Sequence, residues 1–440
     1  MDEELILEIL DDWNLWKEGI QTGVPRELYT KWLLVHLPSK MVLAVVGARR
    51  AGKSFIIKQV VSKLAGRVGK ENVLIVNFED SRFPQLKDSD LAMIFETYKK
   101  ALNPKTTPYI FLDEVQRVKG WERWVRTINE LGKAHVVVSG STSKLISEDM
   151  ATLLTGRHLD IEVFPLGFAE LLRFSGIEIG GGLDSVRKRP TVLGFLEEYM
   201  EFGGFPEVAL SKNKREILLT YFEDIVTKDI IQRYRVRKPN SLLALARFYL
   251  TNISSPITFN SIKQFVSLSV DTIDLFTSYL ESSYLIFLLK RFSWSVKDQE
   301  KSPRKVYSMD VGLSNSVGYR FSDDRGKVME NVVAIELRRR QSSSPFLDVM
   351  YWKDVRDREV DFVLKVGKRV EQLVQVSYAN ERAAVDSREV AALLAASKDT
   401  RCNKLVVITW RYEGLEKRGG KRITFVPLWK WLLEKKEQDA

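Results

Sequence analysis

In the first forty residues, apolar positions fall at helical spacing. Leu5, Ile6, Ile9 and Leu10 share one face, and Trp13 and Trp16 continue it. Pro25-Arg26-Glu27-Leu28 predicts the start of a second helix, with Pro in its first turn. From residue 41 the pattern changes. Short apolar runs at 41–46, 73–78, 109–113, 135–139 and 159–164 have the length and composition of buried strands. Between them, residues 55–64, 92–101 and 121–131 carry the helical repeat. This alternation predicts an α/β fold with a mainly parallel sheet and a ligand crevice at the C-terminal strand ends.

The second half is more varied. Residues 177–190 contain Gly180-Gly181-Gly182 and a charge run, and read as a flexible excursion or linker. Residues 191–250 have a helical pattern interrupted by Gly203-Gly204-Phe205-Pro206. Residues 251–315 have the pattern of a helix-turn-helix unit with a β-wing. Ile262 and Phe265 mark one helix, Ser269-Val270-Asp271-Thr272 a capping turn, and Ile273, Phe276 and Leu280 the next helix; 284–289 and 305–307 are the wing strands. Residues 325–440 return to α/β character, with strands near 349–352, 360–366, 373–376 and 404–410. There is no internal repeat.

The first predicted strand and helix enclose Gly47-Ala48-Arg49-Arg50-Ala51-Gly52-Lys53-Ser54. This is the full G-x-x-x-x-G-K-[ST] pattern in the setting that gives it meaning. Its glycines let the backbone approach a phosphate, and its N–H groups and the helix N-terminus cradle a triphosphate. Lys53 is placed to reach the β- and γ-phosphates and Ser54 to ligate Mg²⁺, so ATP and Mg²⁺ are the implied ligands. The strand at 109–113 ends in Asp113-Glu114. Asp113 is the candidate to hold Mg²⁺ through water, and Glu114 to polarise the attacking water, which extends phosphate binding to ATP hydrolysis.

Composition sets the frame. At 440 residues the chain is too long for one simple core. Its 45% hydrophobic and 29% charged content excludes a disordered chain. Cys402 is the single cysteine, so no internal disulfide forms, which points to a reducing, cytoplasmic setting. His36, His135 and His158 are scattered and make no zinc-ligand cluster. The acidic N-terminus lacks a signal-peptide pattern, and no apolar run reaches membrane-spanning length, so no membrane partner is expected. The net charge of +10 favours a polyanionic partner. Abundant Lys, Arg and Glu with few Cys and His also permit a heat-adapted source.

Several further segments carry a family resemblance. They are the arginine-bearing phosphate loop, Val76-Asn77-Phe78-Glu79-Asp80, Leu112-Asp113-Glu114-Val115-Gln116 with Gly120-Trp121-Glu122, Val138-Ser139-Gly140-Ser141, Gly156-Arg157, and Phe202-Gly203-Gly204-Phe205-Pro206-Glu207. Residues 326–331 and Arg358-Glu359-Val360-Asp361-Phe362 complete the set. On these the chain resembles archaeal and bacterial AAA-type P-loop ATPases that end in a restriction-endonuclease-like domain of unknown function. The resemblance implies an α/β multidomain chain. Its parts are an ATPase core with helical lead-in (1–170), a helical region (171–250), a winged-helix-like unit (251–315) and a restriction-endonuclease-like domain (316–440). It implies that Ser141 senses the γ-phosphate. It also implies that Arg157 stabilises transition-state charge in its own subunit or in a neighbour's, the latter requiring a homo-oligomer. Arg49 and Arg50 either clamp phosphates or pair with acids.

In the C-terminal domain the resemblance places Glu330, Asp361 and Gln375-Val376-Ser377 in the order of a Mg²⁺-dependent nuclease site. The expected E-x-K is absent, so the lysine role has no occupant at its usual place, and a weak, vestigial metal site at Glu330 and Asp361 is the expectation. DNA contact is expected through the backbone. The candidate recognition helix, 271–281, has three acids and no Lys or Arg, so Lys290, Arg291, Lys297, Lys301, Arg304, Lys305 and Arg338-Arg339-Arg340 become the phosphate candidates. The resulting expectation is an ATPase coupled to non-specific DNA or partner binding through its C-terminal half. The alternatives are an ATPase-regulated metal-dependent nuclease and a non-hydrolysing nucleotide switch in a signalling or defence assembly.

Overall fold

The five apolar runs of the first half form one sheet. In the computed structural model they are β1 (Val42–Gly47), β2 (Val73–Asn77), β3 (Tyr109–Asp113), β4 (His135–Gly140) and β5 (His158–Val163). All pairs are parallel and the order is β2-β3-β4-β1-β5. Helices α1 (Glu3–Trp13), α2 (Glu27–His36), α3 (Lys53–Val68), α4 (Asp88–Leu102) and α5 (Trp121–Glu130) connect or flank the strands. The strands lack polar alternation because β1 is buried throughout and β2 to β4 nearly so, as a parallel sheet requires. The structure describes residues 2–16, 19, 21–143, 157–180, 183–319 and 324–434. Gly156, Gly181 and Gly182 of the expected motifs lie outside them.

The chain divides into two units, Met1–Val163 and Phe164–Ala440. In the first, the helical lead-in finishes an open edge. Beyond α1, the Asn14 side chain donates to the Ile75 carbonyl at 2.9 Å and accepts from the Ile75 N–H at 2.8 Å. One amide group thereby stands in for a neighbouring strand beside β2. The register also levels the functional strand ends. Val46 lies opposite Gly140, Leu112 opposite Val138, and Gly47 opposite Val163. Gly47 has φ +146°, and a Cβ there would sit 2.1 Å from the Val163 carbonyl oxygen, so the close approach of β1 and β5 excludes any side chain.

In the second unit, β6 (Ser255–Ile257), β7 (Ile286–Leu289) and β8 (Arg304–Ser308) form a small antiparallel sheet with β8 in the middle. A mixed six-stranded sheet follows. It contains β9 (Leu347–Lys353), β10 (Glu359–Val366), β11 (Arg369–Ser377), β12 (Leu405–Thr409), β13 (Gly414–Arg418) and β14 (Lys421–Pro427), in the order β13-β14-β12-β11-β10-β9. Strand β13 escapes the sequence pattern because it is largely exposed and charged, and β14 because it opens on Lys421-Arg422 and buries only alternate positions, Ile423 and Phe425 among them. The linker expected over 177–190 is corrected in part: a helix, Leu183–Phe202, begins inside it and runs through Pro190.

The turn at Gly203-Gly204 is locked to a buried acid. Gly204 N–H donates to Asp310 Oδ2 at 2.7 Å, and the Gly204 carbonyl accepts from Leu166 N–H at 2.6 Å. Cβ atoms at Gly203 and Gly204 would lie 1.9 Å from Asp310 Oδ1 and 2.2 Å from the Leu166 carbonyl oxygen. Burial pushes the Asp310 carboxyl up to about 6, against the backbone N–H groups of Gly204, Gly312 and Leu313. Because the folded value lies above the unfolded one of 3.8, the stabilisation from protonating this group is complete below about pH 4 and lost as pH rises through 6. The denaturation midpoint should therefore carry a component that falls over this window, by roughly 3 kcal/mol at most for a shift of this size. Asp310→Asn should show a shallower fall in urea titrations at pH 4 and pH 7, whereas an equal fall in both proteins would assign the slope elsewhere.

Candidate functional site

The phosphate loop leaves β1 at Gly47 and enters α3 at Lys53. Arg50 and Gly52 adopt left-handed backbone, with φ +64° and +97°. Lys53 is buried with its ammonium folded into the loop, donating to the Gly47 carbonyl at 3.0 Å and the Ala48 carbonyl at 3.1 Å. A residue of the predicted second helix start supports the loop from behind. Arg26 is 2% exposed, donates from Nη1 to the Ala51 carbonyl at 2.7 Å and lies over the Tyr29 ring. Its own N–H is held by Gln59 Oε1 at 3.0 Å, and the Gln59 amide donates to the Thr22 and Val24 carbonyls. The segment before α2 is thus pinned to α3 and to the loop.

Because β4 lies between β1 and β3, its end separates and serves the two motifs. Ser139 donates to Asp113 and accepts the Glu114 N–H at 3.0 Å. Glu114 has φ +55°, a left-handed conformation that a non-glycine residue holds only when its surroundings impose it. Its carboxylate lies 3.6 Å from the Lys53 ammonium and accepts from Gln116, whose amide also reaches Ser141 Oγ at 3.4 Å. Burial raises Glu114, but Lys53, Gln116, Arg49 and Ser141 together outweigh it, and the carboxyl ends below its usual value. It is therefore an ionised acceptor near neutral pH. Asp113 moves the other way: burial and the Glu114 charge raise it, against hydrogen bonds from Ser139 and Ser54 and the charge of Lys53. The Ser54 hydroxyl and the Asp113 carboxylate are hydrogen-bonded neighbours, an oxygen pair that suits Mg²⁺.

The loop, Asp113, Glu114 and Ser141 therefore come together as the motifs suggested. Arg157 does not join them within its own subunit. It precedes β5, opposite the start of β1, where its carbonyl accepts the Val42 N–H. The loop is at the other end of β1, about 17 Å away at ~3.3 Å per residue. The exposed Arg157 guanidinium pairs with Glu130 at 2.8 Å. Arg49 pairs with Glu79 at 3.2 Å, the acid-pairing option for this residue.

The C-terminal cluster contains the lysine that the motif lacked. Lys305 on β8 is 1% exposed. It donates to Glu330 at 2.7 Å and Asp361 at 3.3 Å and pairs with Glu359 at 2.7 Å. Glu330 comes from the helix Arg325–Ser342, while Glu359 and Asp361 come from β10, with a register shift between Val360 and Val363. Tyr307 OH also donates to Glu330, at 2.7 Å. Asp361 Oδ2 accepts from Gln375 Nε2 at 2.7 Å and from Val376 N–H at 2.9 Å. Burial and Asp361 push the Glu330 carboxyl up, against Lys305 and Tyr307. Burial opposes the charged form of Lys305, but Glu330, Tyr307, Asp361 and Glu359 together hold its pKa well above the usual lysine range.

This corrects the expectation that Lys305 contacts DNA. Lys305 falls on a predicted wing strand of three residues, too short a run to tell a strand's outward face from its inward one. Other phosphate candidates are also engaged within the protein. Lys290 and Arg304 pair with Glu300, Arg291 donates to the Lys353 carbonyl, and Arg339 and Arg340 pair with Glu336. Lys297 and Lys301 are exposed.

Residues 39–172 match the AAA domain family, residues 194–324 a domain of unknown function (DUF8612), and residues 325–431 another (DUF4143). The uncharacterized protein MJ1544 of Methanocaldococcus jannaschii is 32% identical over 449 residues, covering 98% of this chain and 96% of the relative. This chain belongs to the same family. An uncharacterized protein of Haemophilus influenzae is 28% identical over 415 residues, covering 92% of this chain and 98% of the relative. A Walker-type ATPase of Pyrococcus abyssi is similar over 69% of this chain and 99% of its own, at 12% identity and a TM-score of 0.46. The family has an AAA-type N-terminal region and a C-terminal region of unknown function. Among the described residues, no helix is long and apolar enough to cross a membrane.

Arg26 gives a test of the loop's support. Arg26→Ala removes the donor to a buried loop carbonyl, which costs about 1–3 kcal/mol when the acceptor is left unsatisfied. Urea titration should show a lower midpoint, and calorimetry a weaker affinity for ATP. An unchanged midpoint and affinity would show that the loop holds its shape without Arg26.

Proposed function

We propose that the chain binds ATP with Mg²⁺ at residues 47–54 and hydrolyses it. The observation that carries this reading is the convergence of an ionised Glu114, oriented by Ser139 and Gln116, on the buried Lys53 of a phosphate loop. The loop N–H groups and Lys53 would bind the phosphates. Ser54 and Asp113 would hold Mg²⁺, which when bound neutralises phosphate charge. Glu114 accepts a hydrogen bond from the attacking water and orients it. Ser141, tied to the same carboxylate through Gln116, links that orientation to the γ-phosphate. Lys53 exchanges its present carbonyl partners and its Glu114 contact for phosphate, which frees the Glu114 carboxylate to engage water. Arg157 has no part in catalysis at its own subunit's loop in this reading; delivery to a neighbouring subunit would need a homo-oligomer.

The C-terminal half, with its winged-helix-like and restriction-endonuclease-like parts, is the region through which turnover would act on a partner. DNA fits the charge of +10. Of the C-terminal phosphate candidates, Lys297 and Lys301 remain the best placed, being exposed on the short helix Val296–Lys301 beside β8. Sequence-selective reading is not part of this proposal, because the helix Val270–Ser282 offers no basic side chain.

Two experiments test the reading. Glu114→Gln should retain ATP binding by calorimetry while phosphate release falls by about 10²–10⁴-fold, the usual scale for a positioned acid–base group. Lys53→Ala should lose ATP binding. Parent-rate turnover in the Gln variant would remove Glu114 from the mechanism. Duplex DNA binding through Lys297 and Lys301 should depend on salt, with a log–log slope of about −2 for two phosphate contacts. A flat dependence, or strong preference for one sequence, would contradict backbone contact through these lysines.

A further inference from the structure

Glu330 and Asp361, the carboxylates expected to hold a metal ion, converge together with Glu359 on a side chain instead. Lys305 Nζ has three N–H donors and three carboxylate neighbours: Glu330 and Glu359 at 2.7 Å and Asp361 at 3.3 Å. Two of the donors are hydrogen-bonded, to Glu330 and Asp361, and Glu359 completes the ring of negative charge as an ion pair. Gln375, the next position of the expected site, reinforces this arrangement. Gln375 presents its amide N–H to Asp361 Oδ2, so it acts toward that carboxylate as a donor, where a glutamate would add negative charge. The other Asp361 oxygen is the one facing Lys305. Mg²⁺ needs about six oxygen ligands at ~2.0–2.1 Å and usually keeps several waters. Here the ammonium takes that space, and Lys305, Asp361 and Gln375 are 1%, 6% and 6% exposed. Among the described residues, no group of three or more His, Cys, Asp or Glu is placed to hold a metal ion.

We infer that Lys305 is a tethered cation in the place of a divalent metal, which makes the cluster a buried ionic tie in place of a nuclease centre. The donor set does not fit Mg²⁺ while Lys305 is present. The tie has a definite span. Lys305 and Tyr307 lie on the central strand of the small sheet, two residues apart and so on one face. Glu359 and Asp361 lie on β10 of the six-stranded sheet, and Glu330 on the helix Arg325–Ser342. The ring of Tyr307 is 6.0 Å from that of Phe362, and the Arg291 side chain donates to the Lys353 carbonyl, so apolar and polar contacts accompany the charge cluster across the same boundary. One lysine thus fixes the winged-helix-like sheet against the C-terminal sheet without a soluble ion.

Removing the ammonium should open a metal site. Lys305→Ala leaves three carboxylates facing one cavity, and Gln375 Oε1, which has no hydrogen-bond partner, supplies a further oxygen. The test is Mn²⁺ titration of nucleotide-free, full-length protein, followed by electron paramagnetic resonance. The wild type and Asp361→Asn should bind equal amounts of Mn²⁺. Lys305→Ala should gain one equivalent that disappears in Lys305→Ala/Asp361→Asn. Its melting temperature should be lower than wild type without Mn²⁺ and recover with it. A Mn²⁺ equivalent in wild type that Asp361→Asn removes would overturn the inference, as would Mn²⁺-dependent DNA cleavage by wild type that Asp361→Asn abolishes. A folded Lys305→Ala that gains no Mn²⁺ would also overturn it. If Asp361→Asn fails to fold, Glu359→Gln, at the partly exposed rim of the cluster, replaces it in the comparison. With either partner, the wild-type measurement can overturn the inference without any Lys305 variant.

Discussion

Placing β4 between β1 and β3 is the constraint on which the N-terminal site depends. A phosphate loop and an acidic strand end are separate motifs until a third strand sets their spacing and supplies groups to both. Parallel register brings the three C-terminal ends to one level, and Ser139 then reaches Asp113 with its hydroxyl proton and the Glu114 N–H with its oxygen. The left-handed backbone of Glu114 follows from that hold. On the far side of β1, Gly47 permits the close approach of β5, whose carbonyl at Val163 leaves no room for a Cβ. The loop is thus bounded by strand packing on one side and by Arg26 behind.

Among the described residues two lysines are buried, Lys53 and Lys305, and their contrast is instructive. Lys53 rests on two loop carbonyls with Glu114 at 3.6 Å, weak partners that a triphosphate can replace. Lys305 faces three carboxylates, and no incoming anion could offer a comparable set. Burial alone therefore does not mark a lysine as functional or structural. The number and charge of its partners decide whether it can let go.

Local patterns revealed much of the fold. The strands of the first sheet, the loop motif and the acidic pair are encoded in contiguous residues, and the structure places them together. What the sequence could not display were contacts that join distant segments. Arg26 and Ala51 are twenty-five residues apart, and Lys305 is fifty-six from Asp361. No short motif records such a pairing. The lysine at the centre of the carboxylate cluster comes from another sheet, so a search along β11 could not find it. Arg157 illustrates the converse: a motif match was assigned a role that strand direction rules out within one subunit, because proximity in a pattern does not say which end of a strand a residue occupies. Strand β13 was hidden by its charge, since an exposed edge strand needs no apolar run, whereas β14 lies inside the sheet and carries its buried residues, Ile423 and Phe425, only at alternate positions.

The Asn14 amide has a consequence for solubility. A parallel sheet presents a row of unpaired N–H and C=O groups at each edge, ready to accept a strand from another molecule. At β2 the lead-in meets that hazard: Asn14 occupies both backbone groups of Ile75, and Trp16 Nε1 donates to the Val73 carbonyl. These side chains complete the sheet without adding a strand. Displacing the lead-in would withdraw the Arg26 support from the loop and also uncover an edge with the hydrophobic run Val-Leu-Ile-Val beside it. The segment before the nucleotide loop thus acts as a guard against intermolecular strand pairing.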